Sequence, residues 1–194
     1  MSYGVEKEPH LGGYWLGGDP NSYATEVWEY MIKTMNLRNL LDVGCGEGQA
    51  MQYFHERGVF VEGVEGGELA IQNNPLRDHV FKHDYTTGPF IPSKIYDAAW
   101  CAEFVEHVDQ KFEQNFLETF AKCRYVLMTH AFPGQEGYHH VNCQPPEYWI
   151  SRMQEFGFWF DLDSSHVLSQ STKAEHVRRS LLVFKNLRYE HPWN

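Results

Sequence analysis

The feature that most constrains this chain is a glycine-rich stretch that follows a short apolar run, from Asn39 to Phe54. It reads NLLDVGCGEGQAMQYF, with glycines at 44, 46 and 48 and then apolar residues at helical spacing. This order predicts a strand, a tight turn and a helix N-terminus, which is how α/β proteins receive nucleotide-like ligands. Glycine is needed at such a turn because a Cβ would obstruct both the backbone and the ligand.

An acidic residue at the end of the next strand adds to this pattern. Residues 59–65 read VFVEGVE and predict a second strand that ends at Glu65. The Glu65 carboxylate is placed to accept hydrogen bonds from both hydroxyls of a ribose held over the glycine turn. A dinucleotide fingerprint would have its third glycine where Gln49 stands, so a nicotinamide-dependent oxidoreductase fits poorly.

The D-V-G-C-G-E-G motif and the strand-terminal Glu65 resemble the class I S-adenosylmethionine-dependent methyltransferases, and the resemblance extends from about Asn39 to Phe184. It implies a Rossmann-like, doubly wound α/β sheet of seven strands with an antiparallel last strand, in a single domain, and S-adenosylmethionine as the cofactor. In that family an acidic residue after the third strand meets the adenine amino group, and Asp84 stands at the matching position. The residues expected at the cofactor are Asp42, Gly44, Cys45, Gly46, Gly48, Glu65, Gly66, Asp84, Tyr85, Cys101 and Glu103.

The rest of the chain alternates between helical and strand patterns, which by itself favours a doubly wound sheet. Helices are predicted at 20–35, 48–57, 66–74, 109–124 and 146–156, and further strands at 79–84, 96–101, 125–129, 158–162 and 180–184. Residues 130–144 are predicted to be an active-site loop, because they are polar and rich in glycine and histidine without any period. The polar residues 163–176 show no clear pattern.

The domain organisation predicted from these patterns is a methyltransferase domain over residues 19–187 with short extensions at both ends. Residues 1–18 place aromatic side chains among glycines, which predicts a flap that orders over the cofactor and excludes water. Residues 188–194 are expected to form a C-terminal tail.

Composition restricts the choice of partner. The formal charge of the 194-residue chain is −10, which argues against nucleic acid, since that affinity rests largely on Lys and Arg. The four cysteines have no C-x-x-C spacing, so a reducing, cytoplasmic setting is expected. No apolar run approaches the ~20 residues of a membrane helix. A small molecule or glycan is therefore the expected substrate.

Two loops contain the candidates for the chemistry. After the fourth strand the chain reads E-F-V-E-H, and the loop after the fifth strand contains adjacent histidines. Methylation of a hydroxyl requires removal of its proton, and histidine titrates near neutrality. His107, His139 and His140 are therefore the candidate bases. Tyr148, Trp149 and Trp159 are candidates for a wall on which a sugar ring could stack.

A metal-dependent alternative stays open. The motif also resembles the enzymes that methylate the terminal 2′-hydroxyl of small RNAs, which hold a divalent metal with E-x-x-E-H and a further histidine. The matching ligands here are Glu103, Glu106 and His107, with His139 or His140 as the last. Oxygen and imidazole ligands suit Mn²⁺ or Mg²⁺.

The sequence favours metal-free O-methylation of a small-molecule or sugar hydroxyl, because the chain is acidic and has no RNA-binding module. A cofactor-binding protein without transferase activity, and a relative that consumes the cofactor by hydrolysis, are further alternatives. The oligomeric state is not indicated.

Overall fold

The computed structural model describes residues 3–4 and 6–189, and over these residues the chain forms a seven-stranded sheet in the order β3-β2-β1-β4-β5-β7-β6. The strands are β1 Asn39–Val43, β2 Phe60–Glu65, β3 Val80–Lys82, β4 Tyr96–Cys101, β5 Cys123–Met128, β6 Phe158–Phe160 and β7 Leu182–Asn186. The α-helices are α1 Thr25–Lys33, α2 Gln49–His55, α3 Glu68–Asn73, α4 Glu113–Phe120, α5 Pro146–Glu155, α6 Leu162–Ser171 and α7 Glu175–Ser180.

Strands β1 to β5 pair in parallel, whereas β7 runs antiparallel to both β5 and β6. This confirms the predicted doubly wound sheet with a reversed last strand. Parallel strands direct their carboxyl ends to the same edge, where open α/β sheets bind ligands. In the register, Asp42 on β1 lies between Gly63 on β2 and Trp100 on β4.

Both faces of the sheet are covered, as helical crossovers require. Leu40 of β1 packs on one side with the α1 and α2 side chains Met31 and Phe54. Leu41 packs on the other side with Phe116 of α4 and Trp149 of α5. All six side chains are fully buried, so the two layers hold the loops at the sheet edge on a rigid base.

The structure corrects the predicted helix at 109–124. The helix α4 begins at Glu113, after a 3₁₀ turn at Gln110–Phe112 that the Asp109 side chain caps by accepting from the Lys111 amide. It ends at Phe120, because Cys123 and Arg124 already belong to β5. The phenylalanine period correctly indicated the buried face but not the ends of the helix.

A second correction concerns residues 163–176, which contain α6 and the start of α7. Asp161 caps α6 by accepting a hydrogen bond from the Ser164 amide. Only Ser165 and Leu168 of α6 are buried, so its apolar period was too weak to predict a helix.

Some predictions concern parts of the chain outside the described residues. Residues 1, 2 and 5 of the predicted flap, and 190–194 of the predicted tail, are among these. Within the described ranges, no helix combines the length and the apolar character that crossing a bilayer would require.

Candidate active site

A cavity of about 390 Å³ lies where the carboxyl ends of β1, β2 and β4 meet the N-terminal segment. Its volume is in the range of small-molecule binding sites. The predicted cofactor residues that line it are Asp42, Gly44, Cys45, Gly46, Glu65, Gly66, Asp84, Tyr85 and Glu103. Gly48 and Cys101 are not among the lining residues. Gly48 holds a left-handed backbone conformation at the start of α2, and Cys101 is fully buried in the core.

The glycine turn after β1 is fastened to β2. The amides of Gly44 and Cys45 both donate to the Val64 carbonyl, at 2.9 and 3.3 Å. Gly44 has a φ of +74°, and a Cβ there would lie 2.5 Å from the ring of Phe104. Only glycine satisfies both the backbone angle and this packing, so the turn keeps its shape without a ligand.

The Glu65 carboxylate is held by backbone donors. One oxygen accepts from the Gly46 amide at 2.9 Å, and the other accepts from the amides of Gly66 and Gly67 at 2.8 Å each. A carboxylate has about four acceptor positions, so three of them are taken. Two ribose hydroxyls would therefore share or displace one of these amide bonds, and Glu65 holds the loop as well as being placed for the ribose.

Two carboxyl groups, the buried Asp42 and the half-buried Glu65, lie close together in this part of the cavity. Asp42 is 3% exposed, and burial, followed by the nearby charge of Glu65, raises its pKa to about 8. Burial also raises the pKa of Glu65, although the three amide bonds oppose the rise. A cationic ligand nearby would favour the charged form of both groups.

Asp84, the predicted adenine contact, is bound to its own loop and to the N-terminal segment. One oxygen accepts from the amide and hydroxyl of Thr86 at 2.8 and 2.7 Å, and the other accepts from Nε2 of His10 at 3.1 Å. Burial opposes ionisation, but the hydrogen bonds from His10 and Thr86 leave the pKa of Asp84 lowered. Asp84 is thus a charged hydrogen-bond acceptor that lines the cavity.

The flap, defined here as the described part of residues 3–18, lies across the cavity. It is folded back on itself, with the Gly4 amide donating to the Tyr14 carbonyl at 2.7 Å. The Gly17 amide donates to Glu47 at 2.7 Å, and Glu6 accepts from the Leu69 amide at 2.8 Å. These contacts fasten the flap to the loops after β1 and β2.

A second group of side chains gathers after β4 and β5. Glu106, His107 and His140 each offer one ligand atom, and the three atoms lie within 4.8 Å of one another. Bonds of ~2.1–2.4 Å to one cation place opposite ligands at up to about that separation. His107 and His140 also line the cavity that contains the cofactor residues.

The polar atoms of this group lack partners. Glu106 is fully buried, and among the described residues neither of its carboxylate oxygens, nor Nδ1 of His107, has a hydrogen-bond partner. Burial, then the neighbouring Glu103 carboxylate, raises the pKa of Glu106 well above its usual range. Burial, then the neighbouring His140, lowers the pKa of His107 to about 4. A buried carboxylate without a partner is costly, so Glu106 is compensated either by a proton, which it could share with Glu103, or by a cation.

The backbone places His140 beside Glu106. The amides of Val141 and Asn142 both donate to the Glu106 carbonyl, at 2.9 and 3.0 Å. Nδ1 of His140 lies 3.2 Å from the Gln135 carbonyl. A carbonyl only accepts, so Nδ1 carries the proton and Nε2 keeps the lone pair that a metal ligand needs.

Two predicted residues lie outside this group of three. Glu103 has a strained φ of +52°, accepts from the Thr129 hydroxyl at 2.7 Å and lies 3.6 Å from Nδ1 of His176. His139 does not line the cavity, and its ring centroid is 6.4 Å from that of His10. Of the two histidines left open by the sequence, His140 is the one beside Glu106.

The structure also adds a residue that sequence reasoning missed. His176 lines the cavity and lies between Glu103 and Asp19, with Nε2 3.3 Å from Asp19. It comes from α7, in the segment whose pattern predicted no element. No local motif signalled it, because its partners are distant in the sequence.

The predicted aromatic stacking wall is wrong. Trp149 is fully buried in the core, and the hydroxyl of Tyr148 donates to Glu113 at 2.8 Å. Trp159 is 51% exposed on β6, and none of the three side chains lines the cavity. The helical spacing of Tyr148 and Trp149 reflects the packing of α5 against the core and not a ligand-binding surface.

Comparisons with known proteins agree with this fold. Residues 41–130 match a family model described as a methyltransferase domain. No curated protein matches the chain significantly. Many solved structures do match, and three of them are described here.

A SAM-dependent methyltransferase from Archaeoglobus fulgidus is 19% identical, with a TM-score of 0.59 over 87% of this chain and 95% of that one. The sugar N-methyltransferase KedS8 from a Streptoalloteichus species is 16% identical, with a TM-score of 0.65 over 88% and 89%. The methyltransferase domain of bacterial CtHen1 is 16% identical, with a TM-score of 0.61 over 86% and 100%. At these identities the likeness shows a shared fold.

Proposed function

Because residues 41–130 match a methyltransferase-domain family model, we propose that this chain is an S-adenosylmethionine-dependent methyltransferase. We further propose that it methylates a hydroxyl of a small molecule or sugar, assisted by a divalent cation held by Glu106, His107 and His140. The observation that carries the proposal is the fully buried Glu106 carboxylate, whose two oxygens have no partner among the described residues and which lies beside two imidazoles.

The cofactor supplies an electrophilic methyl group on a sulfonium. The chain supplies alignment and exclusion of water, which is most of what an in-line displacement requires. The glycine turn and Glu65 would hold the ribose, Asp84 would face the adenine, and the flap would cover both. Asp42 and Glu65 place carboxylates at the end of β1 and β2, where they favour a cationic ligand.

The metal-binding version now has more support than the metal-free version that the sequence favoured. A general base works best when its pKa lies near the working pH, and the pKa of His107 is lowered to about 4. A neutral imidazole of that kind is instead suited to be a metal ligand, because it does not have to lose a proton first. A divalent cation at this position would polarise a hydroxyl oxygen and favour loss of its proton.

The position of Glu103 also fits this version. Its side chain lines the cavity and contacts Thr129 and His176. In the sequence it stands three residues before Glu106, as the first glutamate of E-x-x-E-H. It therefore orients the turn, and we propose that it reaches the cation only if the bond to Thr129 is released. Of the four metal ligands predicted from the sequence, Glu106, His107 and His140 therefore form the proposed site. The fourth, Glu103, lies outside it.

The same group of three is compatible with a second function, methylation of a terminal 2′-hydroxyl of RNA. The observation in its favour is the spacing of Glu103, Glu106 and His107 together with the position of His140. The acidic character of the chain opposes it.

The test is a transfer assay with methyl-labelled cofactor, on protein stripped of metal by a chelator, against sugars, phenols and short RNAs. Transfer should be lost on stripping and restored by Mn²⁺ or Mg²⁺. Calorimetric titration of Mn²⁺ into the stripped protein should show a single site that His140→Ala removes. Full activity after stripping would overturn the metal site, and cofactor breakdown without transfer would overturn the methyltransferase function.

A further inference from the structure

Carboxyl groups are the main acidic or basic side chains that line the cavity, beside several histidines. Besides Asp42, Glu65 and Asp84, the carboxylates of Asp19, Glu47, Glu103 and Glu136 line it. Among the described residues, no lysine or arginine does so. Anionic ligands are usually received by Arg, Lys or a helix N-terminus, and like charges in a confined site are a strong means of rejection. Apart from the proposed divalent cation, the lining side chains therefore offer an acceptor no Lys or Arg with which to receive a phosphate or carboxylate.

The mouth of the cavity carries an aromatic cluster, made of Tyr3, Trp15 and Tyr138. The Tyr3 ring centroid lies 5.1 Å from that of Trp15 and 5.9 Å from that of Tyr138. All three side chains line the cavity, and Tyr3 is 42% exposed. Such rings offer apolar faces with polar edges, which suits a ring-shaped ligand that carries hydroxyls.

This cluster is adjacent to the proposed cation ligands. A Cβ on Gly13 would lie 2.9 Å from the ring of Tyr138 and 3.3 Å from the ring of His107, so both rings pack against the same glycine. Tyr138 also precedes His139 and His140 in the chain. A ring seated on the aromatic cluster would thus place its hydroxyls toward His107 and His140.

Building on the proposed function, we infer that the methyl acceptor is an uncharged, hydroxyl-bearing ring such as an unphosphorylated sugar, bound on the aromatic cluster. The carboxylates that line the cavity reject its phosphate and carboxylate derivatives. The terminal nucleoside of RNA would bring a phosphodiester into the same cavity. The lining carboxylates therefore also reject RNA.

The test compares pairs of neutral sugars and their phosphate esters, together with a short RNA, in the labelled-cofactor assay with Mn²⁺. We expect kcat/KM for at least one neutral sugar to exceed that of its phosphate by ~30-fold or more. Glu136→Lys should reduce this ratio by roughly tenfold. The matched control is Asp78→Lys, the same charge change at an exposed residue outside the cavity.

A second variant tests the aromatic cluster. Tyr3→Leu should raise KM for the neutral sugar by roughly tenfold with little change in cofactor affinity, whereas Phe81→Leu, an exposed aromatic outside the cavity, should change neither. Equal or better transfer to phosphate esters or RNA would overturn the inference and leave the methyltransferase function standing. Failure of transfer to every acceptor would instead overturn the function itself.

Discussion

Two carboxyl groups at the same sheet edge, the half-buried Glu65 and the fully buried Glu106, have opposite hydrogen-bonding surroundings. Glu65, after β2, accepts three backbone hydrogen bonds from Gly46, Gly66 and Gly67. Glu106, after β4, is fully buried and has no partner for either oxygen among the described residues. The Glu65 region is therefore complete before any ligand arrives, whereas the Glu106 region is electrostatically incomplete.

The difference shows what each region is built to receive. The hydrogen bonds around Glu65 fix the shape of the loop. A fixed loop suits a cofactor, because the same molecule binds there in every catalytic cycle. An unpaired buried carboxylate is tolerated when a cation or a proton compensates it. The Glu106 region can therefore be completed by a cation, and each of the following predictions perturbs one region while leaving the other intact.

The largest effect is expected from Glu106→Gln, which removes the charge and keeps the shape. Mn²⁺ binding should be lost, and turnover should fall by ~10³-fold, because the only anionic member of the group is gone. The metal-free variant should be about as stable as the metal-free wild type, because the raised pKa leaves Glu106 protonated and therefore neutral, as Gln is. Calorimetry with Mn²⁺ and thermal unfolding check this, and retained Mn²⁺ binding would contradict the assignment.

Next in size is the contrast between neighbouring histidines. His140→Ala should lower turnover by ~10²-fold and leave cofactor affinity nearly intact, because its side chain acts at the acceptor end. His139→Ala is the matched control and should change turnover by less than ~3-fold, since that ring lies outside the cavity. Steady-state kinetics with cofactor titrations distinguish them. Equal losses in both variants would show that the loop is needed only as a whole.

Mutation of Glu65 should affect cofactor binding more than turnover, which is the reverse of the effect expected for His140. Glu65→Ala should weaken S-adenosylmethionine binding by ~1–3 kcal/mol, because buried donors lose their acceptor. Turnover at saturating cofactor should change little. Glu68→Ala serves as the control, because Glu68 is exposed and pairs with Lys82. Calorimetric titration measures the difference, and unchanged affinity in Glu65→Ala would remove Glu65 from the cofactor site.

A smaller effect is expected from the flap, which touches both regions. Removing residues 1–18 should lower kcat/KM by at least ~10-fold, because water enters during transfer and the acceptor contacts of Tyr3 and Trp15 are lost with the segment. The melting temperature should move by less than ~4 °C, since the two core layers do not include the flap. Single-turnover assays and thermal unfolding give the two readouts. A truncated protein with full turnover would show that the flap has no catalytic part.

The last prediction concerns the pH dependence of stability rather than turnover or binding. In the ligand-free fold the pKa of Asp42 is raised from 3.8 to about 8. Between these values the folded chain retains a proton that the unfolded chain releases, so this contribution to stability falls as pH rises. Its slope is at most ~1.4 kcal/mol per pH unit. The free energy of unfolding, measured with urea from pH 4 to 8, should depend less on pH in Asp42→Asn than in the wild type. The exposed control Asp163→Asn should keep the wild-type dependence. Identical pH dependence in wild type and Asp42→Asn would contradict the prediction.

Most of the fold could be predicted because its signals are local. The strand and glycine turn around Gly44 depend on residues close in sequence, and the structure places them as expected. The helix α6 escaped prediction because only Ser165 and Leu168 face the core. The stacking wall failed for a related reason, since Trp149 has an apolar period that fits core packing and a binding surface equally well.

The sequence by itself determined the doubly wound sheet, the glycine turn and the acidic end of β2, because each rests on backbone geometry and short-range periodicity. Only the tertiary structure decided that His140 rather than His139 meets Glu106, and that His176 bridges Asp19 and Glu103. The physical reason is that these contacts join segments far apart in the chain, where loop backbone angles, such as the positive φ of His139, determine which way each side chain points.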